Sequence, residues 1–191
     1  STGSVGLGGA MTIFSSFTQD FLQENNLLEN EPNKMISIFG DSELDEGNVY
    51  EALLEGAKHN LKNCWWIIDY NRQSLDGIVF EKLFEKIINL FELMDWNVEI
   101  LKYGSKLQKL KQSKSGKKIL KWIDDCPNDL FSALTYQGGK DWRKTLLKVF
   151  SNDKDTFNLI QSFNDHDLNG LMTNLAGHDV ESLEIAFSKH V

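Results

Sequence analysis

Two short polar segments contain the residues best suited to hold a metal ion. Residues 40–47 read GDSELDEG, and residues 69–73 read DYNRQ, so Asn71 follows Asp41 by 30 positions. Magnesium in proteins takes oxygen ligands, commonly one or two carboxylates together with water and phosphate oxygens. One aspartate, one asparagine side-chain oxygen and one backbone carbonyl would suit it, and a single carboxylate leaves the ion enough positive charge to attract a diphosphate. The pattern predicts a magnesium-held diphosphate near Asp41 and Asn71.

The elements around these segments predict how they meet. Residues 35–39 and 64–68 are short apolar runs typical of buried strands, and apolar residues at helical spacing lie between them at 46–59. A right-handed crossover would make the two strands parallel neighbours, about 4.8 Å apart. Ligands of open α/β sheets bind beyond the carboxyl ends of the strands, where helix N-termini favour phosphate. Asp41 and Asn71 both follow such ends.

The rest of the chain completes an α/β prediction. Helical periodicity covers residues 10–24 and 80–94, and alternation at 96–101 predicts a third strand. We therefore expect a single domain over residues 1–191 with a mostly parallel sheet and flanking helices, its sheet in residues 1–103 and a mainly helical part in 104–191. The lysine-rich stretch at 106–121 is interpreted as a solvated helical face in preference to a basic contact patch.

Composition excludes several classes of function. The net charge is -8, which argues against binding to nucleic acid or to an anionic membrane, because both require clustered basic residues. There are two cysteines and no C-x-x-C pair, as expected in a reducing compartment. The sequence shows neither a run of about 20 apolar residues nor a signal peptide, so we predict a cytoplasmic protein.

The acidic residues after Gly40 also have a simpler interpretation. Negative side chains at the start of a helix complement its dipole, and this explanation is preferred for Asp45 and Glu46. It does not explain why Asn71 follows the neighbouring strand. For Asp41 together with Asn71 we therefore prefer the metal-binding interpretation.

These motifs resemble those of a known family. The segment GDSELDEG with IDYNRQSLDG is similar to the thiamine-diphosphate motif of the transketolase superfamily, usually G-D-G followed by N. The likeness is greatest to the homodimeric pyruvate dehydrogenase decarboxylating component, which has an acidic run after G-D and the pattern N-x-Q-x-L-D-G. The opening S-V-G-L-G and the closing LAGHDVESLEIAF also resemble that family, so the resemblance covers nearly the whole chain.

The resemblance implies a thiamine-diphosphate-binding domain with a defined set of site residues. The magnesium ligands would be Asp41, the side chain of Asn71 and the backbone carbonyl of Gln73. The residues lining the diphosphate would be Gly40, Ser42 and Glu43, with Ser4 and Val5 beside the cofactor ring. His178 matches a histidine in a family loop that closes over the active site and assists acyl transfer to lipoyl. Ser42 replaces the usual second glycine, and its hydroxyl would either donate to a phosphate oxygen or crowd it.

The family's reaction is the oxidative decarboxylation of pyruvate, a small 2-oxo acid, with acetyl transfer to a lipoyl acyltransferase component. Its active site also needs a glutamate from a pyrimidine-binding domain, and no residue here matches that glutamate. We therefore expect a truncated domain, fragment or split subunit that depends on a second copy or on a separate pyrimidine-binding subunit, and that does not turn over alone. Two alternatives stay open: ketol transfer of the transketolase kind, and a non-catalytic interaction or dimerisation module that retains the fold.

Overall fold

The computed structural model describes residues 3–28, 33–70, 73–74, 77–78 and 83–189, with the backbone alone at 73–74 and 77–78. The chain divides into two units, residues 1–98 and 99–191. Within the described ranges, no helix is both long enough and apolar enough to cross a lipid bilayer.

The first unit is built on a strand-helix-strand arrangement. Strands β1 and β2 pair in parallel with Gly40 opposite Asp69, and β3 and β4 form a small antiparallel hairpin. The predicted parallel unit is thereby confirmed. The elements in chain order are α1 (Leu7–Glu24), β1 (Met35–Gly40), α2 (Gly47–Lys58), β2 (Cys64–Asp69), β3 (Gln73–Ser74), β4 (Gly77–Ile78) and α3 (Leu83–Leu93).

The predicted third strand at residues 96–101 is wrong. These residues are described, and they belong to no strand. A strand needs a partner for its backbone, and the nearby pairing is only an isolated bridge between Tyr103 and Leu175. Val98 and Ile100 are accordingly exposed, while Trp96 packs its ring on Trp66, with centroids 5.0 Å apart. The described chain is therefore mostly helical, with a small parallel sheet.

Helix α1 covers one face of the β1–β2 sheet. Trp66 is central to this packing, because its Nε1 donates to the Thr12 hydroxyl at 2.9 Å and its ring contacts Phe39 and Phe91 edge-on. Gly9 lets the helix approach, since a Cβ there would lie 3.2 Å from the Trp66 ring. On the opposite face Ile36 and Ile38 are 49% and 73% exposed.

The second unit is helical. Its core is formed by fully buried side chains that include Trp142, Leu146 and Ile160, and the Trp142 ring packs edge-on against Phe131. Its helices are α4 (Ser105–Leu110), α5 (Lys114–Asp125), α6 (Asn128–Gln137), α7 (Gly139–Val149), α8 (Lys154–Ser162), α9 (Asp165–Met172) and α10 (Val180–Ser188).

The start of α7 packs tightly against the start of α9. A Cβ at Gly139 would lie 1.8 Å from the backbone oxygen of Asp165, so only glycine fits. One turn later Arg143 donates from Nε to the Asp165 carboxylate at 2.5 Å and from Nη2 to the Phe163 carbonyl. Backbone proximity and side-chain hydrogen bonds thus fix the same junction.

Asp179 anchors the short 3₁₀ turn Ala176–His178. Its carboxylate caps α10 by accepting from the Ser182 backbone N–H at 3.0 Å, and it also accepts from Asn174 Nδ2 at 3.0 Å and from the Ser105 hydroxyl at 2.8 Å. These hydrogen bonds, from Asn174 first and then from Ser105 and Ser182, hold the pKa of Asp179 well below its ordinary value. The turn is therefore tied to the start of α4.

We predict that Gly139→Ala destabilises the second unit by about 1–3 kcal/mol or more, because an added Cβ must displace the Asp165 backbone. Gly177→Ala is the matched control, since beyond its chain neighbours no atom of the described residues lies within 4 Å of its added Cβ. The midpoint of urea unfolding followed by circular dichroism measures both. Equal midpoints would contradict the close packing of α7 on α9.

A second prediction concerns pH. Because the folded-state pKa of Asp179 is depressed, its carboxylate stabilises the fold above the unfolded pKa of about 3.9, and this contribution is lost as the pH falls. Asp179→Asn keeps a capping oxygen and removes the charge. We expect the mutant to unfold at lower urea than the parent at pH 7, and the difference to shrink below pH ~4. A difference that stays constant from pH 7 to pH 3 would contradict this assignment.

Candidate cofactor site

The end of β1 carries the first predicted metal ligand. The strand ends at Gly40 and leads directly into a 3₁₀ turn, Asp41–Asp45. The Asp41 side chain is 5% exposed, so this carboxylate is buried at the carboxyl end of the strand. Gly40 pairs with Asp69, the last residue of β2, and both strands therefore end at one edge of the sheet. Asn71 lies outside the described residues.

The third predicted ligand, the backbone carbonyl of Gln73, belongs to β3. This strand packs against the 3₁₀ turn Asp41–Asp45, so the backbone of Gln73 and the segment that begins with Asp41 are neighbours. Among the described residues, no three His, Cys, Asp or Glu side chains cluster as a metal site would require. The predicted set contains one carboxylate, completed by amide and carbonyl oxygens. A buried carboxylate at a shared strand edge fits a magnesium ion of that kind.

An open groove of about 800 Å³ runs along β1 and the first turns of α1. Four of the predicted cofactor contacts line it together: Ser4, Val5, Ser42 and Glu43. In the sequence these residues belong to two distant segments: Ser4 lies 37 positions before Asp41, which begins the second segment. The structure places both segments around one space.

The groove also contains a cation that the motif search missed. Lys34 lines it just before β1 begins, and its Nζ lies 5.0 Å from the centre of the Trp65 ring. The sequence did contain a signal for Lys34. It lies between a polar stretch and the apolar run that begins at Met35, so it must stand at the amino end of the predicted strand. Lys34 gives the groove a positive charge at that end.

Gly40 and Ser42 are the predicted diphosphate contacts at the end of β1. A Cβ at Gly40 would lie 3.7 Å from the Ser42 Oγ, an ordinary contact, and would meet no other side chain among the residues that the structure describes. Ser42 is half-buried and lines the groove. The described part of the chain therefore does not itself require glycine at position 40.

The carboxylate of Glu43 accepts hydrogen bonds from backbone amides. Its Oε2 accepts from the Gly6 N–H at 2.9 Å, and its Oε1 accepts from the Gly40 N–H at 3.3 Å. Gly6 has φ +78° and caps α1. Sequence analysis did not select Gly6, although the run V-G-L-G-G before a helix is a signal for a glycine with positive φ.

Two further titratable groups of the first unit keep their protons at neutral pH. Burial raises the pKa of the Tyr50 hydroxyl, and the nearby charge of Asp45 raises it further. Burial also raises the pKa of the Cys64 thiol, although hydrogen bonds with Thr12 and Trp66 oppose this. Neither group is therefore poised as an anionic nucleophile.

His178 belongs to the second unit, where it is exposed at the end of the turn Ala176–His178. Asp179 holds that turn by the four hydrogen bonds from Ser182, Asn174 and Ser105. The geometry gives His178 access to solvent from an anchored backbone. Its part in acyl transfer stays a prediction.

Comparison with known proteins points to one enzyme. No family model matches the chain. The pyruvate dehydrogenase E1 component of Buchnera aphidicola subsp. Baizongia pistaciae is 26% identical over 190 residues, and that of Escherichia coli (strain K12) is 25% identical over 190; each match covers 98% of this chain and 21% of the relative. The E1 component of Cupriavidus necator is 26% identical over 188 residues, covering 97% of this chain and 20% of the relative. The chain thus spans about a fifth of the length of the curated relatives it matches, and the similarity supports a distant relationship to pyruvate dehydrogenase E1 components.

Proposed function

We propose that this chain binds thiamine diphosphate through one magnesium ion, as part of an enzyme of the pyruvate dehydrogenase E1 kind. The observation that carries the proposal is the parallel pairing of Gly40 with Asp69. Because of this pairing, the buried Asp41 and the segment that leads to Asn71 both follow strands that end at the same edge of the sheet. The relationship to E1 components supports the choice of ligand.

The proposal assigns roles to the predicted residues. Asp41, Asn71 and the Gln73 carbonyl hold the metal, while Gly40 and Ser42 approach the diphosphate. Ser4 and Val5 contact the ring from the groove wall. Thiamine diphosphate, when bound, supplies an electron sink for loss of carbon dioxide from a 2-oxo acid such as pyruvate.

The chain's own residues supply binding and charge in this proposal. The single carboxylate of Asp41 partly neutralises the metal and leaves it attractive to the diphosphate, whereas Lys34 lies at the amino end of β1, away from Asp41. A second copy or a separate pyrimidine-binding subunit supplies the remaining groups, and a lipoyl acyltransferase component accepts the acyl group with help from His178. The proposed location is the cytoplasm.

A second candidate function is a non-catalytic interaction module. The specific observation in its favour is the uncovered sheet face, on which Ile36 and Ile38 are 49% and 73% exposed. Parallel sheets are ordinarily covered on both faces. Such a module would keep the fold and associate through this face without binding cofactor.

We predict metal-dependent binding in isothermal titration calorimetry of the chain with thiamine diphosphate. Heat should appear with magnesium and be lost when the metal is chelated. Asp41→Asn, which keeps the size of the side chain and removes its charge, should weaken binding at least about tenfold, the loss expected when a ligand to a cation loses its charge. Asp45→Asn, at an exposed position of the same turn, is the control and should bind like the parent.

The outcome separates the two candidate functions. An absence of heat at millimolar thiamine diphosphate with magnesium would reject the cofactor site and favour the interaction module. Binding that is unaffected by Asp41→Asn would reject the assignment of this carboxylate to the metal.

A further prediction uses the room at position 40. Gly40→Ala should unfold at the same urea concentration as the parent within about 0.5 kcal/mol, because within the described residues its Cβ meets only the Ser42 Oγ at 3.7 Å. It should nevertheless weaken thiamine diphosphate binding in the same calorimetric titration, since the ligand must approach this backbone closely. Unchanged affinity would show that the diphosphate does not lie against residue 40.

A further inference from the structure

Two separate segments of the first unit meet at the Glu43 side chain. One is the turn at residues 3–6, which contains Ser4 and Val5 and precedes α1. The other is the end of β1, which carries Gly40 and leads to Asp41. The relative placement of these segments decides whether the predicted ring contacts and the predicted metal ligand face one ligand.

Glu43 connects the segments with both of its carboxylate oxygens. Oε2 accepts from the Gly6 N–H at 2.9 Å and Oε1 accepts from the Gly40 N–H at 3.3 Å. Hydrogen bonds to an ionised acceptor are stronger than neutral ones. One side chain therefore holds the last residue of the turn and the last residue of the strand.

Steric packing fixes the same turn from the other side. Gly6 has φ +78°, and a Cβ there would lie 2.7 Å from both the Asn48 Oδ1 and the Glu46 Cβ. The turn is thus seated on the start of α2 with no room for a side chain. Its position is determined by packing on one side and by Glu43 on the other.

Charge gives a reason for this arrangement. A free carboxylate beside a diphosphate would repel it, because both are anionic. Each carboxylate oxygen of Glu43 instead accepts a hydrogen bond from a backbone amide. This differs from the direct contact with diphosphate that the family resemblance implied.

We propose that Glu43 is a positioning residue, which holds the turn at residues 3–6 on the end of β1 and so sets Ser4 and Val5 relative to Asp41. The inference rests on the proposed function for its effect on ligand binding. Its structural part, the hold on the Gly6 amide, stands on the geometry alone.

Two ligands separate positioning from direct contact. With magnesium present, Glu43→Gln should weaken binding of thiamine diphosphate about tenfold, as expected for loss of one charge-assisted hydrogen bond. Binding of inorganic diphosphate should not be weakened, because it has no ring for Ser4 and Val5 to contact. If Glu43 lined the diphosphate instead, removal of its negative charge would strengthen the binding of both ligands, and that result would overturn the proposal.

Hydrogen exchange tests the structural part without any ligand. In Glu43→Ala the Gly6 amide, followed by NMR, should exchange at least about tenfold faster than in the parent, because its acceptor is removed. Amides in the middle of α1 should exchange as in the parent. Gly47→Ala is the control, since its added Cβ has no described atom within 4 Å beyond its chain neighbours and its own helix backbone. An unchanged Gly6 exchange rate in Glu43→Ala would overturn the proposal.

The two experiments also distinguish failure of this inference from failure of the proposed function. If the parent chain binds neither thiamine diphosphate nor inorganic diphosphate with magnesium, the proposed function fails, and the exchange rate of Gly6 alone then decides whether Glu43 positions the turn. If the parent binds both ligands and Glu43→Gln weakens neither, the positioning role fails while the cofactor site stands.

Discussion

Parallel pairing of β1 with β2 is the constraint on which the candidate site depends. Two parallel strands end on the same edge of a sheet, so the register that sets Gly40 opposite Asp69 also sets where the following residues begin. Helix α2, lying between the strands in sequence, makes this pairing possible because a parallel connection must cross over the sheet. A shift of one residue in this register would turn the buried side chains of Ser37 and Phe39 out of the packed face and expose them, and this gives the register a strong energetic basis.

The electrostatics of the site follow from the number of its carboxylates. Two unit charges 4 Å apart interact by about 4 kcal/mol at an effective dielectric constant of ~20, so each extra carboxylate next to a bound diphosphate would oppose binding by a similar amount. The structure sets these carboxylates in different places: Asp41 is buried at the strand end, while Glu43 lines the groove and accepts from the backbone amides of Gly6 and Gly40, which partly compensate its negative charge. Asp45 is exposed. An acidic sequence run is thus divided among different physical tasks.

Local patterns predicted those parts of the fold that depend on local interactions. The short apolar runs that became β1 and β2, and the helical stripe of α2, could be read from periodicity because each buries one face against its neighbours. The strand expected at residues 96–101 could not, because alternation shows that a segment is able to pair and not that a partner exists. The contact of Glu43 with Gly6 was also beyond sequence reasoning, since it joins residues 37 positions apart through a side chain that motif analysis had assigned to the diphosphate.

The uncovered face of the β1–β2 sheet adds a requirement that is independent of cofactor chemistry. Full burial of an isoleucine side chain contributes roughly 1.5–3 kcal/mol, and Ile36 and Ile38 remain largely exposed at 49% and 73%. On the other face, by contrast, Phe39 and Trp66 pack with Phe91 and the helix α1. The same two strands therefore support a strand edge suited to a metal and diphosphate, and an apolar face suited to association. Ile36 and Ile38 also line the groove that contains Ser4, Val5, Ser42 and Glu43, so association through this face and binding in the groove involve the same two side chains.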